Sequence, residues 1–189
     1  MSRAGAPFIE IYEAHTGDVY RYFSYRSLSR EAAEDLTQLT FERALRAWPR
    51  FDPTRASAKT WLLAIAHNAW IDHLRRARHR ETVDIDDLAE GEQPYVEADQ
   101  STGLSAELSA ALGRLSERER EVLALRFGAD MRGPEIARSL GLTLANAQQI
   151  LSRALRKLRS ELESAQTASG PDPAAPNAAR TSSPRPEQA

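Results

Sequence analysis

Between residues 81 and 103 the chain reads ETVDIDDLAEGEQPYVEADQSTG, with eight carboxylates and no cation. Like charge at that density, with little apolar periodicity, opposes burial in a core. The strip therefore splits whatever folds into a part before it and a part after it. It is expected to be a flexible linker. As a random coil its ends would lie about 26 Å apart, and fully stretched it would span roughly 76–83 Å.

The flanking parts have the opposite charge. Residues 1–80 carry 13 basic and 9 acidic side chains, and residues 104–164 carry 10 and 8. A net charge of −2 over 189 residues thus conceals two mildly basic blocks. Total charge alone would argue against a nucleic-acid partner; its distribution restores that option. Runs of alternating β-branched residues are absent, while apolar residues recur at helical spacing. The expected fold is all-α: two small helical domains, 1–80 and 104–164, joined by the acidic linker 81–103. Five of the ten prolines fall in 165–189, an Ala/Pro/Ser-rich tail expected to be disordered.

Several classes are set aside early. With no cysteine there is no disulfide, thiolate zinc site or thiol sensor. The N-terminus lacks the apolar core of a signal peptide, and no run reaches the roughly 18 apolar residues of a membrane span. A cytoplasmic chain without membrane contact of its own is expected.

In the first block, Phe8, Tyr12, Val19 and Phe23 share one helical stripe, widened by Ile9 and Tyr20. A second helix over 30–48 would turn Leu36, Phe41, Leu45 and Trp48 inward, and Pro49 and the FDPTRAS run would end it. Ser57 can cap a third helix running to about His79, with Trp61, Leu62, Ile65, Ala66, Ala69, Trp70 and Leu74 on its apolar face. In the second block Ser116 and Glu119 have capping-box spacing, and Gly128 is expected to stop that helix.

PEIARSLGLT, 134–143, followed by LANAQQILSRALRKLR carries the sharpest local signal. Ala137 is small enough for two helices to approach, Gly141 can take the left-handed turn, and Thr143 can cap the next helix. Ala147, Leu151, Ala154, Leu158 and Leu162 would hold that helix down. Asn146 lies in its first turn. Ala145, Gln149, Ser152 and Arg156 face away, with Gln148, Arg153 and Lys157 beside them. Such a helix fits a DNA major groove: glutamine can pair with adenine, arginine with guanine or phosphate. An ordinary helical hairpin with a solvated face is the alternative; the coincidence of small residue, glycine turn and cap favours DNA.

On the third helix Asn68, Asp72, Arg75, Arg76 and His79 form one polar face, with Lys59 and Arg55 at its approach. Taken alone, this is most simply a solvated face. It could also follow phosphates or an unpaired strand, and Trp61 and Trp70 could stack on bases, although their apolar positions suit a core.

AAEDLTQLTFERALRAW, TWLLAIAHNAWIDHLRR and LSEREREVLALRF…PEIARSLGLT…LSRALRKLR occur in that order. Together they resemble the extracytoplasmic-function group of the sigma-70 family of bacterial RNA polymerase sigma factors, over about 8–80 and 104–162. The resemblance implies that EDLTQLTF docks core RNA polymerase, with Asp35, Gln38 and Phe41 matching the pattern. It implies that the segment from Lys59 to Arg76 binds and melts the promoter −10 element. There Lys59, Thr60, Trp61, Asn68, Asp72, Arg75 and Arg76 match. The helix from Thr143 would read the −35 element, with Thr143, Ser152, Arg153, Ala154 and Leu158 matching. A partner anti-sigma factor is implied as well. Three departures stand out. Leu39 replaces a usual acidic residue beside Gln38. Gln148 and Ile150 replace residues that are commonly basic, so −35 binding should depend less on salt. The proline-rich tail has no counterpart.

Two rival readings remain: a helix-turn-helix regulator acting without polymerase, and a polymerase-bound adaptor that no longer recognises promoters. The first has no dimer helix to use, and no need for the first 80 residues. The acidic strip is either a solvated spacer or an electrostatic stand-in for nucleic acid in a basic polymerase channel. No enzyme or cofactor is expected: His15, His67, His73 and His79 lack metal-ligand partners at i+4, adjacent Asp86 and Asp87 fall in the linker, and no nucleophile or phosphate-loop motif occurs.

Overall fold

The computed structural model describes residues 7–27, 29–84 and 104–168. The tail beyond 168 and the linker beyond 84 lie outside them. Among the described residues every regular element is helical: α1 (Phe8–Ser27), α2 (Arg30–Ala47), α3 (Ala58–Asp84), α4 (Ala106–Gly113), α5 (Glu117–Leu123), α6 (Gly133–Ser139) and α7 (Leu144–Ala168). Among the described residues no helix is long and apolar enough to cross a membrane.

Short polar side chains set the helix starts. Ser29 Oγ accepts from Ala32 N–H, Ser57 Oγ from Thr60 N–H and Ser105 Oγ from Leu108 N–H. Ser116 and Glu119 complete the expected capping box. α3 reaches Asp84, three residues beyond the acidic strip's first carboxylate, because nothing in RETVD breaks a helix already nucleated.

α1, α2 and α3 pack Val19, Tyr22, Phe23, Leu36, Phe41, Leu62 and Trp70 together, with Ala33, Ala44, Ala66 and Ala69 letting the helices approach. Leu45 is an exception to the expected stripe. It is 56% exposed, and Ile9 is 57% exposed, so both sit on an outer rim of the bundle rather than in it. Beyond α2, Trp48 stacks on Phe51 at 5.1 Å, and Phe51 meets Trp61 at 4.7 Å. This aromatic knot, with Asp52 Oδ1 accepting from Thr54 N–H and Oγ1–H, fixes the loop leading into α3.

The second block continues the same core. Val122, Leu125, Ala129, Met131, Ile136, Ala137 and Ala147 belong to the cluster that holds Tyr22 and Trp70, while Leu112, Leu115, Leu123 and Ala154 form a smaller one. The two blocks are therefore closed on one another, with α1 lying against α5 and against a π turn over Ala124–Gly128. The helical run stops at Gly128, as expected, and this glycine has a second task as well. A Cβ there would lie 2.9 Å from the Arg21 backbone, so glycine is what permits the close approach of α1. The left-handed residue after this turn is Asp130, with φ of 48°.

Candidate nucleic-acid interface

The turn between α6 and α7 is built as its residues dictate. Gly141 has φ of 63°. Leu142 N–H donates to Ala137 C=O at 2.8 Å and Gly141 N–H to Arg138 C=O at 3.3 Å, a Schellman arrangement that satisfies the end of α6. Thr143 Oγ1 accepts from Asn146 N–H at 3.2 Å, starting α7. Arg118 Nη2 donates to Leu140 C=O, fastening α5 to the same corner.

Ala147 and Ala154 are buried and Leu151 and Leu158 half-buried, so α7 is held by the stripe the sequence indicates. Thr143, Asn146, Gln148, Gln149, Ser152, Arg153 and Arg156 all lie exposed along the outside. Ile150 turns inward and packs against the core, so the uncharged residue at that position is a packing residue here. Lys157 Nζ lies 3.9 Å from Glu119 Oε2, at the edge of an ion pair.

The α3 face is less uniform. Asn68, Arg75 and Arg76 are exposed. Asp72 is half-buried between Arg43 Nη1 of α2, at 2.9 Å, and Arg75 Nη2, at 3.2 Å. It thus ties α3 to α2 and orients Arg75. Lys59 Nζ is 3.0 Å from Asp18 Oδ2 of α1. Thr60 Oγ1 meets Ser57 Oγ, and Trp61 is half-buried in the aromatic knot beside the loop. The side chain of His79 lies outside the described residues.

On α2, Asp35 and Gln38 are exposed and Phe41 is buried, while Leu39 packs against the core. Gln38 Nε2 donates to Glu42 Oε1 at 3.2 Å. Gln38 and Phe41 border an open groove of about 1060 Å³ between α1 and α2, whose apolar floor and rim include Phe8, Ile9, Tyr12 and Leu45. Sequence reasoning missed this groove because Tyr12 and Leu45 sit on stripes that otherwise read as core.

An exposed polar recognition helix behind a glycine turn, packed with a three-helix bundle bearing a polar face and an apolar groove, suits a two-part transcription protein. The sigma-70 region 2 pattern matches residues 11–80, and the sigma-70 region 4 pattern matches 111–160. The extracytoplasmic-function sigma factor SigM of Bacillus subtilis is 31% identical over 155 residues, covering 80% of this chain and 92% of SigM. BldN of Streptomyces coelicolor is 32% identical over 154 residues, and there this chain spans only 58% of the relative's length. In three dimensions the fold is similar to that of RpoE, a sigma factor solved with the anti-sigma factor NepR from Bartonella quintana. The TM-score is 0.65 at 24% identity, covering 82% of this chain and 96% of RpoE. The chain belongs to the sigma-70 family of RNA polymerase sigma factors, in its extracytoplasmic-function group.

Proposed function

We propose that this chain binds core RNA polymerase and directs it to promoters, with region 2 over 1–80, region 4 over 104–164 and the acidic segment 81–103 as the tether. The observation that carries the reading is the succession of both family regions on one chain, each ending in an exposed polar helix face.

The roles divide by chemistry. Gln148 and Gln149 at the start of α7 suit adenine edges of a −35 element, with Arg153 and Arg156 on phosphates and Thr143, Asn146 and Ser152 as short hydrogen-bonding groups. Asn68, Arg75 and Arg76 suit an opened −10 strand, and the knotted loop before Trp61 holds its approach rigid. Asp72 and Lys59 serve this surface through the helices they tie together. The groove beside Asp35, Gln38 and Phe41 suits a helix of the polymerase. Leu39 packs inward, and the groove's charged residues are Arg30, Glu34 and Glu42, with Arg30 paired to Glu34. RpoE was solved with an anti-sigma factor, and a partner of that kind for this chain is part of the proposal, as are a cytoplasmic site of action and the lack of an enzymatic role.

Gel filtration with purified core polymerase tests the docking. The wild-type chain should co-elute. Leu45→Glu, at an exposed groove position, should weaken binding by on the order of tenfold or more, because a carboxylate would be desolvated under the partner. Its thermal unfolding should be unchanged. Equal co-elution of both chains would remove the groove from the account. A regulator acting without polymerase would co-elute in neither form.

A further inference from the structure

The exposed stripe of α3 differs from the polar face that spacing alone indicates. Ala64, Asn68, Ile71, Arg75 and Arg78 are all exposed, at successive steps of four, three, four and three residues, which is one line along a helix. Arg76 lies beside it, also exposed, while Asp72 is half-buried. The middle of the stripe is therefore an isoleucine, 47% exposed, with an amide one turn before it and a guanidinium one turn after.

A single exposed apolar side chain is ordinary on a protein surface. Ile71 is set apart by its position and its neighbours. The other large apolar residues exposed in the first block, Ile9, Tyr12 and Leu45, all line the groove between α1 and α2. Ile71 belongs neither to that groove nor to the core cluster. Its flank is anchored: Arg43 Nη1 lies 2.9 Å from Asp72 Oδ2, and Asp72 Oδ1 lies 3.2 Å from Arg75 Nη2. β-branching leaves an isoleucine essentially one χ1 rotamer in a helix. Ile71 thus presents its methyl groups as a fixed surface, and little side-chain entropy remains to be lost on contact.

The chemistry of a base edge narrows what such a surface can meet. Amides and guanidinium groups bond to base edges and phosphates, as Asn68 and Arg75 can on either side. An aliphatic group has one specific counterpart on a base edge, the 5-methyl of thymine. An aliphatic wedge driven between base steps is the other use of such a residue in DNA binding, and a wedge would be indifferent to the loss of one methyl.

We infer that Ile71 is a specificity-determining residue of the promoter contact: its side chain packs on the 5-methyl of one thymine in the −10 element, between the polar contacts of Asn68 and Arg75. This role deepens the reading of the chain as a promoter-directing sigma factor and rests on it. Asn68 and Arg75 set the register of α3 on the DNA, and Ile71 favours thymine at one position.

The test uses the full chain assembled with purified core polymerase. Duplex promoters are selected by this holoenzyme from a pool randomised over the −10 region. The recovered promoter is the probe, with each −10 thymine replaced in turn by deoxyuridine, which removes the methyl and keeps the base pair. At one thymine the replacement should weaken wild-type binding about fourfold, one buried methyl's worth. Ile71→Ala should lose at least that much on the unmodified probe and nothing further on the deoxyuridine probe. Ile71→Val, which keeps a β-branched methyl surface, should retain most of the discrimination. All three chains should co-elute equally with core and unfold at the same temperature, because the side chain is exposed and alanine suits a helix. Equal affinity for thymine and deoxyuridine at every −10 position would overturn the inference, as would a recovered −10 element without thymine. So would discrimination that survives in Ile71→Ala. Loss of core binding by Ile71→Ala would assign the residue to polymerase and overturn it as well. If the unaltered chain with core recovers no promoter at all, the sigma-factor function itself falls, and Ile71 has no promoter to read.

Discussion

Acid should unfasten this protein through one carboxylate. Glu121 is 4% exposed. Burial pushes its carboxyl up, but contact with His67 and the charge of Arg26 outweigh that, bringing it from an ordinary 4.5 to about 2. Arg118 Nη1, 2.8 Å from Oε2, adds a further hydrogen bond, while Glu117 and the Tyr22 hydroxyl complete the surroundings. The Tyr22 hydroxyl is itself pushed up to about 12 by burial and stays protonated throughout. A carboxyl held low in the folded state stabilises it fully above the unfolded value, and that stability drains away as pH falls through the folded one. The difference corresponds to about 3 kcal/mol at neutral pH, of which about 2 kcal/mol should be lost between pH 6 and pH 3. Glu121→Gln cannot titrate. Urea unfolding followed by tryptophan fluorescence should show it less stable than wild type by about 3 kcal/mol at pH 7, in keeping with a broken buried pair. The gap should narrow by about 2 kcal/mol at pH 3. A gap that stays constant across this range would refute the assignment of a charged, buried Glu121.

Further outcomes follow from the turn and from α7. Gly141→Ala should cost about 1 kcal/mol in urea unfolding, because φ of 63° strains any residue with a Cβ although nothing lies within 4 Å of it. An unchanged midpoint would mean the turn relaxes. Gln148→Lys should steepen the dependence of log K on log salt by about 0.9 for −35 duplex binding measured by fluorescence anisotropy, one added phosphate contact's worth. No change in slope would place position 148 away from the backbone.

The sequence was most legible where local geometry decides. The Ala137–Gly141–Thr143 corner, the Ser116 capping box and the polar outer face of α7 all follow from spacing and side-chain chemistry, and all stand in the structure. The face of α3 was legible as a face but not residue by residue. That Asp72 is held by Arg43, 29 positions away, is a tertiary fact with no local sign. The closure of the two blocks was hidden for the same reason. A tether of like charge implies separation, whereas Arg26 meets carboxylates 91 and 95 positions further on. One trace was present: Arg26 lies three positions after Phe23 and seven after Val19, a charge inside an apolar stripe. Gly128 is the helix stop the sequence indicates, but its close contact with α1 has no local sign.

The division of labour is tested most directly by run-off transcription with purified core polymerase, comparing Arg76→Ala and Gln149→Ala on duplex promoters and on templates already melted at −10. Arg76→Ala should fail on the duplex and recover on the melted template, while Gln149→Ala should lose −35-dependent initiation on both and still bind core. Identical losses in the two variants, or no transcript from the unaltered chain on any promoter, would contradict it.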